Sequence, residues 1–370
     1  MMQLSNEDNL RMNVLLAQQL KAIRINEGTM TVHALTDKGE AKVKLNPTSR
    51  DEQYLRWIRE MISMKVTGSP GGYPIFLKRW TRMGHADNTL EHMLLLGEPE
   101  AIVALVHAPT LSHDIGKYAW WANPTTEVAR RLLHYPEVVE GELGRELAEY
   151  LLEFLPFEER QLNVVDTVRL CLQGELISDD QRAALWARAK RKNPYYVGFL
   201  HSEGLIPAEN KENYHCDEIK SRSDLSNNVI VDEFVELFQK PGQQWLGTLK
   251  NSLKKPVDQD VVISLFKAVD SHFTLEWPEH RGVRDINQAC ERAELWMQNQ
   301  SECSEQLHEL NRVLDDKLRD KLQSFLVLSQ IGEDTLIPIF AGNDSVGSVM
   351  RRRLEPVTKI IVHHVDNLLA

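Results

Sequence analysis

A histidine and an aspartate stand side by side at positions 113 and 114, followed by Ile115, Gly116 and Lys117. Imidazole and carboxylate can hold a divalent ion, and water bound to such an ion becomes a nucleophile near neutral pH. Cys216 lies in Tyr214-His-Cys-Asp217. An exposed thiol beside an imidazole can be activated, or can accept sulfur as a persulfide. Two aromatic pairs, Trp120-Trp121 and Tyr195-Tyr196, invite a stacking surface, to which Trp80 and Arg82 add. Beside the tyrosines, Arg188-Ala-Lys190-Arg-Lys192 offers cations to RNA or phosphate, and Arg351-Arg352-Arg353 does the same. Each feature also has a plainer reading. Tryptophans and tyrosines in helices are often core pieces with a hydrogen-bonded polar tip. Cations at a helix end complement its dipole. Neighbours in sequence, such as Cys216 and its histidine, usually point apart. Ser, His and Asp are too scattered to propose a triad.

The elements that position these residues centre on a repeat. Glu100-Ala-Ile-Val-Ala-Leu-Val-His-Ala-Pro-Thr-Leu returns as Glu127-Val-Ala-Arg-Arg-Leu-Leu-His-Tyr-Pro-Glu-Val. Glu100 and Glu127, Leu105 and Leu132, His107 and His134, and Pro109 and Pro136 are each 27 residues apart. In each copy the sequence predicts that Glu opens a short apolar helix and Pro ends it. Such a spacing is that of a two-helix repeat, although a solenoid needs at least three copies.

Upstream, apolar spacing predicts a helix over 7–21, then three alternating runs at 22–25, 29–35 and 41–45. Asn26-Glu-Gly28 and Asp37-Lys-Gly39 separate them, so they read as an antiparallel meander. Asn46-Pro47-Thr48-Ser49 is expected to cap a helix over 50–65. The Gly- and Pro-rich stretch 67–74 lacks the Gly-Lys-Ser/Thr of a phosphate loop and reads as a hinge. Leu143, Leu147, Tyr150, Leu151 and Phe154 form one helical stripe, closed by Pro156. Leu162, Val165, Val168 and Leu172 form another, and Ser178 to Gln181 starts a helix carrying Leu185 and Trp186. Periodicity fades over 201–228. Further helices are expected near 230–239, 258–273, 285–298, 301–330 and 357–369. The fold class is therefore mainly α with an N-terminal β meander, divided as 1–66, a repeat-like domain at 67–200, a polar linker at 201–228 and a bundle at 229–370.

The chain has 370 residues, 42% hydrophobic and 26% charged, which is enough for sizeable cores. A net charge of −11 argues against broad binding to DNA or anionic membrane. Cys171, Cys216, Cys290 and Cys303 form no C-x-x-C pair, which fits reduced thiols. With no secretory signal and no long apolar run, the reading is a soluble cytoplasmic protein.

Two resemblances follow from these residues. His113-Asp114-Ile-Gly-Lys resembles the central motif of HD-type metal-dependent phosphohydrolases, and that likeness implies His85 and Asp166 as the remaining ligands beside His113 and Asp114. Against it, Pro109 breaks the helix four residues before His113, and Thr110 and Ser112 stand where those enzymes show apolar residues. His134 already has its place in the repeat. The bland reading is a helix start, with Asp114 capping and Gly116 turning.

Residues 73–84 (Tyr-Pro-Ile-Phe-Leu-Lys-Arg-Trp-Thr-Arg-Met-Gly), 94–101 (Leu-Leu-Leu-Gly-Glu-Pro-Glu-Ala), 119–121, 150–157 (Tyr-Leu-Leu-Glu-Phe-Leu-Pro-Phe) and 195–199 (Tyr-Tyr-Val-Gly-Phe) resemble the DsrS family. So does 22–50, and the likeness covers roughly residues 1–200. These are soluble proteins encoded with the dissimilatory sulfite reductase genes of sulfur-oxidising bacteria. The resemblance implies a cytoplasmic accessory or regulatory role in sulfur oxidation and supplies no catalytic residue, and His113-Asp114 is not a hallmark of that family. The preferred expectation is a non-catalytic protein, needing no cofactor, whose helical surface binds a protein or an RNA. The alternatives are the phosphohydrolase and a sulfur relay through Cys216.

Overall fold

The change of hydrophobic period near the N-terminus produces a helix and then a sheet. In the computed structural model, which describes residues 4–72, 88–202, 204, 206–209, 228–273, 275, 282–298, 305–342 and 345–369, α1 spans Asn6–Leu16. Strands β1 (Leu20–Asn26), β2 (Thr31–Thr36) and β3 (Gly39–Lys44) follow as an antiparallel meander in the order β1-β2-β3. The helix is shorter than expected because Leu20 already pairs with Thr36 across the sheet. Ile25, Val32 and Val43 stand in register. Met12 and Leu15 of α1, together with Tyr54, Ile58 and Ile62 of α2 (Asp51–Thr67), share their core. Residues 46–49 do not cap α2: Arg50 holds the cap position without a side-chain bond. The Asn46 N–H instead donates to the fully buried carboxylate of Asp8, which also receives the Tyr54 hydroxyl. One acid thus ties the first helix, the exit of β3 and α2.

The chain folds as two units, Met1–Phe154 and Leu155–Ala370. The first goes on through α3 (Asn88–Leu94), α4 (Pro99–Leu105), α5 (His113–Ala122), α6 (Thr126–Leu132), α7 (Pro136–Val139) and α8 (Glu142–Phe154). Strand β1 packs on α3 and α5, so sheet and repeat belong to one unit and do not part at residue 66. The repeat is visible bond by bond. The N–H of Val106 bonds Ile102 O and that of Leu133 bonds Ala129 O; His107 to Ala104 matches His134 to Arg131. Ile102 and Ala129, Leu105 and Leu132, and Leu111 and Val138 are buried at matching places. The prolines do not end the helices. Each helix closes at residue 106 or 133 through tightened last-turn bonds, Pro109 follows in coil, and Pro136 opens α7.

In the second unit, a 3₁₀ turn at Leu155–Phe157 precedes α9 (Gln161–Cys171), α10 (Asp179–Ala189) and α11 (Asn193–Leu200). Ser178 and Gln181 form the expected capping box. Beyond the 201–228 stretch, most of which lies outside the described residues, come α12 (Val229–Glu236), α13 (Lys240–Leu253), α14 (Gln259–His272) and α15 (Ile286–Met297). Then follow α16 (Glu305–Val313), α17 (Asp316–Leu328), a 3₁₀ turn at Glu333–Leu336, α18 (Ile337–Phe340) and α19 (Gly347–Leu369). Helix α11 packs on α9, α10, α13 and α14, while α19 packs on α13 and α17. The helix expected over 301–330 is two helices among its described residues, because Asp315 accepts the Leu318 N–H at 2.9 Å and starts α17 afresh. The fold is mainly α with one small antiparallel sheet at its N-terminus.

Candidate functional site

Helix α5 begins at His113 because Ser112, not Asp114, is its N-cap, accepting the Ile115 N–H at 3.4 Å. Asp114 is exposed in the first turn. His113 places Nδ1 3.4 Å from the Glu137 carbonyl oxygen. Gly116 does not turn the chain; it sits inside the helix, where a Cβ would meet Leu111 at 3.1 Å and Val138 at 3.2 Å. Asp166 belongs to α9 of the second unit, 3.6 Å from the Arg169 guanidinium. His85 lies outside the described residues. Among the described residues, no three His, Cys, Asp or Glu side chains gather where they could hold a metal ion.

The aromatic candidates separate by burial. Trp120 is buried, donates its Nε1–H to Glu146 at 2.6 Å and meets Tyr150 edge-on at 4.9 Å. Tyr195 is buried as well. Both are core residues, so the expectation that they stack on a partner is corrected. Trp121 is half-buried beneath the Arg24 guanidinium, 4.5 Å from its ring centre. Tyr196 is half-buried against Trp186 at 5.2 Å, and burial pushes its hydroxyl up. Trp80, Arg82 and Cys216 lie outside the described residues.

The two basic runs occupy opposite ends of helices. Arg188 closes the last turn of α10 and Lys190 is its C-cap, where the carbonyl end favours cations. Arg188, Lys190, Arg191 and Lys192 are exposed. Arg351, Arg352 and Arg353 stand in the second turn of α19, close to the end whose dipole favours anions. The helix-end explanation therefore serves the first run and fails for the second.

A cavity of about 700 Å³ in the second unit is lined by Arg169, His201, Glu233, Trp245, Ser271 and His272 among others. His272 lies flat on Trp245, with ring centres 3.6 Å apart and planes at 5°, and burial pushes it down to about 4. The lowered His201 places Nε2 2.8 Å from the Ser264 carbonyl oxygen, which assigns the proton to that nitrogen. At neutral pH both imidazoles are uncharged. The edge of His272 presents one donor and one acceptor, and a base this weak gives little proton transfer there. Cys290 Sγ lies 3.8 Å from His364 Nε2, whose Nδ1 is 3.1 Å from Ser324 Oγ. Burial raises this thiol and lowers His364 to about 4, so the pair is neutral rather than a thiolate–imidazolium couple. Cys171, fully buried, is pushed up to about 12. Sequence reasoning missed the cavity because His201, Trp245 and His272 are far apart in the chain.

Comparison of the chain with protein-family models, curated proteins and solved structures finds no match. Among the described residues, no helix is long and apolar enough to cross a membrane.

Proposed function

We propose that this protein is a non-catalytic accessory or regulatory protein of dissimilatory sulfur oxidation, acting in the cytoplasm by binding a protein partner through a helical surface. The pathway comes from the DsrS-like blocks. The binding mode rests on one observation: at the corner between α10 and α11, Arg188, Lys190, Arg191 and Lys192 are exposed, and among the described residues none of the four side chains forms an ion pair. Such a corner is soluble on its own and attracts an acidic surface by complementary charge. The test is retention of proteins from a lysate of the host, compared between the wild type and R188E/K190E. A specific protein held by the wild type and lost by the variant is the expected result. Retention that disappears on nuclease treatment would replace the protein partner by RNA. One or two metal equivalents per chain, lost in His113→Ala, would overturn the reading in favour of metal-dependent phosphohydrolysis.

A further inference from the structure

The loop after α13 lies against the start of α19. Arg351 donates from Nη1 to the Pro256 carbonyl at 3.2 Å, and Gln259 from Nε2 to the Ser345 carbonyl at 2.9 Å. The two segments carry Lys254, Lys255, Arg351, Arg352 and Arg353, all exposed, together with Val257, Val346 and Val349 at 37, 64 and 54% exposure. None of the five cations forms an ion pair among the described residues. Among the described residues, Asp258 caps α14 through the Val261 N–H, and Glu355 is held by Lys359 at 2.8 Å, with the Arg352 charge adding a smaller pull. Asp260 is exposed in the first turn of α14.

Fold chemistry explains only part of this surface. Lys254 caps the carbonyl end of α13 and is held by Asn251. The three arginines stand near the opposite pole of their helix, where the dipole gives cations no advantage. Three exposed valines gain nothing from water. The patch also opposes the sign of a chain whose net charge is −11.

We propose that this face docks an acidic polypeptide segment carrying aliphatic side chains, its carboxylates meeting the arginines and lysines and its aliphatic groups covering the valines. The inference gives the protein partner of the proposed function a chemistry, and so rests on that reading. The apolar groups here are aliphatic, whereas single-stranded RNA is held by aromatic stacking.

The experiment is fluorescence anisotropy of the full chain with a labelled peptide of mixed Glu and Leu. Arms with a Lys/Leu peptide, poly(U) and phosphatidylglycerol vesicles accompany it. The acidic peptide is expected to bind, to weaken as salt rises, and to lose about tenfold in affinity with R352E/R353E. V346S/V349S, which leaves every charge in place, is expected to weaken it several-fold at any salt concentration. All substituted residues are exposed, and circular dichroism checks that the variants fold. Affinity unchanged in both variants, or tighter binding of poly(U) or vesicles than of the peptide, overturns the proposal. If R352E/R353E still holds the host protein that R188E/K190E loses, this docking face falls and the proposed function stands. If neither peptide nor host protein is held, both fall.

Discussion

In the first unit the buried polar side chains among the described residues are Asp8, Ser63 and Ser69; in the second they run from Thr167 through Gln243, Gln244, Thr248 and Ser252 to Lys321, Gln330 and Thr335. Thr248 and Ser252 bond carbonyls of their own helix, but others of the second unit reach carbonyls outside theirs. Gln243 donates to Leu237, Gln244 to Ala208, Gln330 to Ala289 and Thr335 to Val283, at 2.8 to 3.1 Å. Each such bond adds only about 1 kcal/mol net, but an unmade one costs about 1–3 kcal/mol. The first unit is thus specified mainly by where its apolar residues recur. The second is specified also by whether these buried side chains meet their carbonyl partners.

The sharpest way to break the comparison is at the helix crossings. A Cβ on Gly198 of α11 would stand 2.6 Å from Val168 Cβ and 2.9 Å from the Val165 carbonyl oxygen, so backbone must move. At Gly116 of the first unit the obstacles are the tips of Leu111 and Val138, at 3.1 and 3.2 Å. Gly198→Ala should therefore cost about 3 kcal/mol of overpacking. Gly116→Ala should stay within about 1 kcal/mol of wild type, since Ala also improves helix propensity. Denaturant midpoints measure both. Equal midpoints for the two variants would mean that α11 and α9 do not approach as closely as described.

Acid should separate the units next. His201, His272 and His364 are all lowered by burial in the second unit, the latter two to about 4. Between about pH 6.5 and 4 the unfolded chain binds protons that the folded form does not, so stability rises with pH across that window. It is complete above 6.5 and lost as pH falls towards 4. For His272 the loss is on the order of 3 kcal/mol. Hydrogen exchange at pH 7.5 and at pH 5 should show peptides of the second unit losing protection, and His272→Phe, which keeps a ring against Trp245, should remove part of that loss. An unchanged pH dependence in His272→Phe would show that its ring is not held neutral by burial.

The same contrast explains what could be read from the chain alone. The meander was legible because β2 and β3 bury alternate residues between two glycine-bearing turns, and the repeat because Leu105 and Leu132 recur with their neighbours. Helix α13 was passed over although Trp245, Leu246, Leu249 and Leu253 keep helical spacing, and the burial of Gln243, Gln244, Thr248 and Ser252 beside them is not written in their residue types. The break at Asp315 was hidden for the opposite reason: Leu310, Leu314 and Leu318 keep helical spacing across it. Of the candidate site, the basic runs could be seen as charge, but not which end of a helix each would occupy. Trp120 and Tyr195 could be counted as aromatic, but their burial depends on partners such as Glu146 that sequence distance conceals.

The smallest effects expected are at two helix starts: the sequence reading gave the cap of the first to Asp114 and ran a single helix through the second. Ser112 caps α5 with a neutral hydroxyl at 3.4 Å, and Asp315 caps α17 with a carboxylate at 2.9 Å. The shorter, charged acceptor also complements the helix dipole, so Asp315→Ala should cost about 1–1.5 kcal/mol and Ser112→Ala about 0.5 kcal/mol. Asp315→Asn should recover most of the loss, because the amide oxygen still accepts the Leu318 N–H. If Asp315→Ala instead left the midpoint unchanged, the leucine spacing would be carrying one helix through residue 315, and the boundary between α16 and α17 would be misplaced.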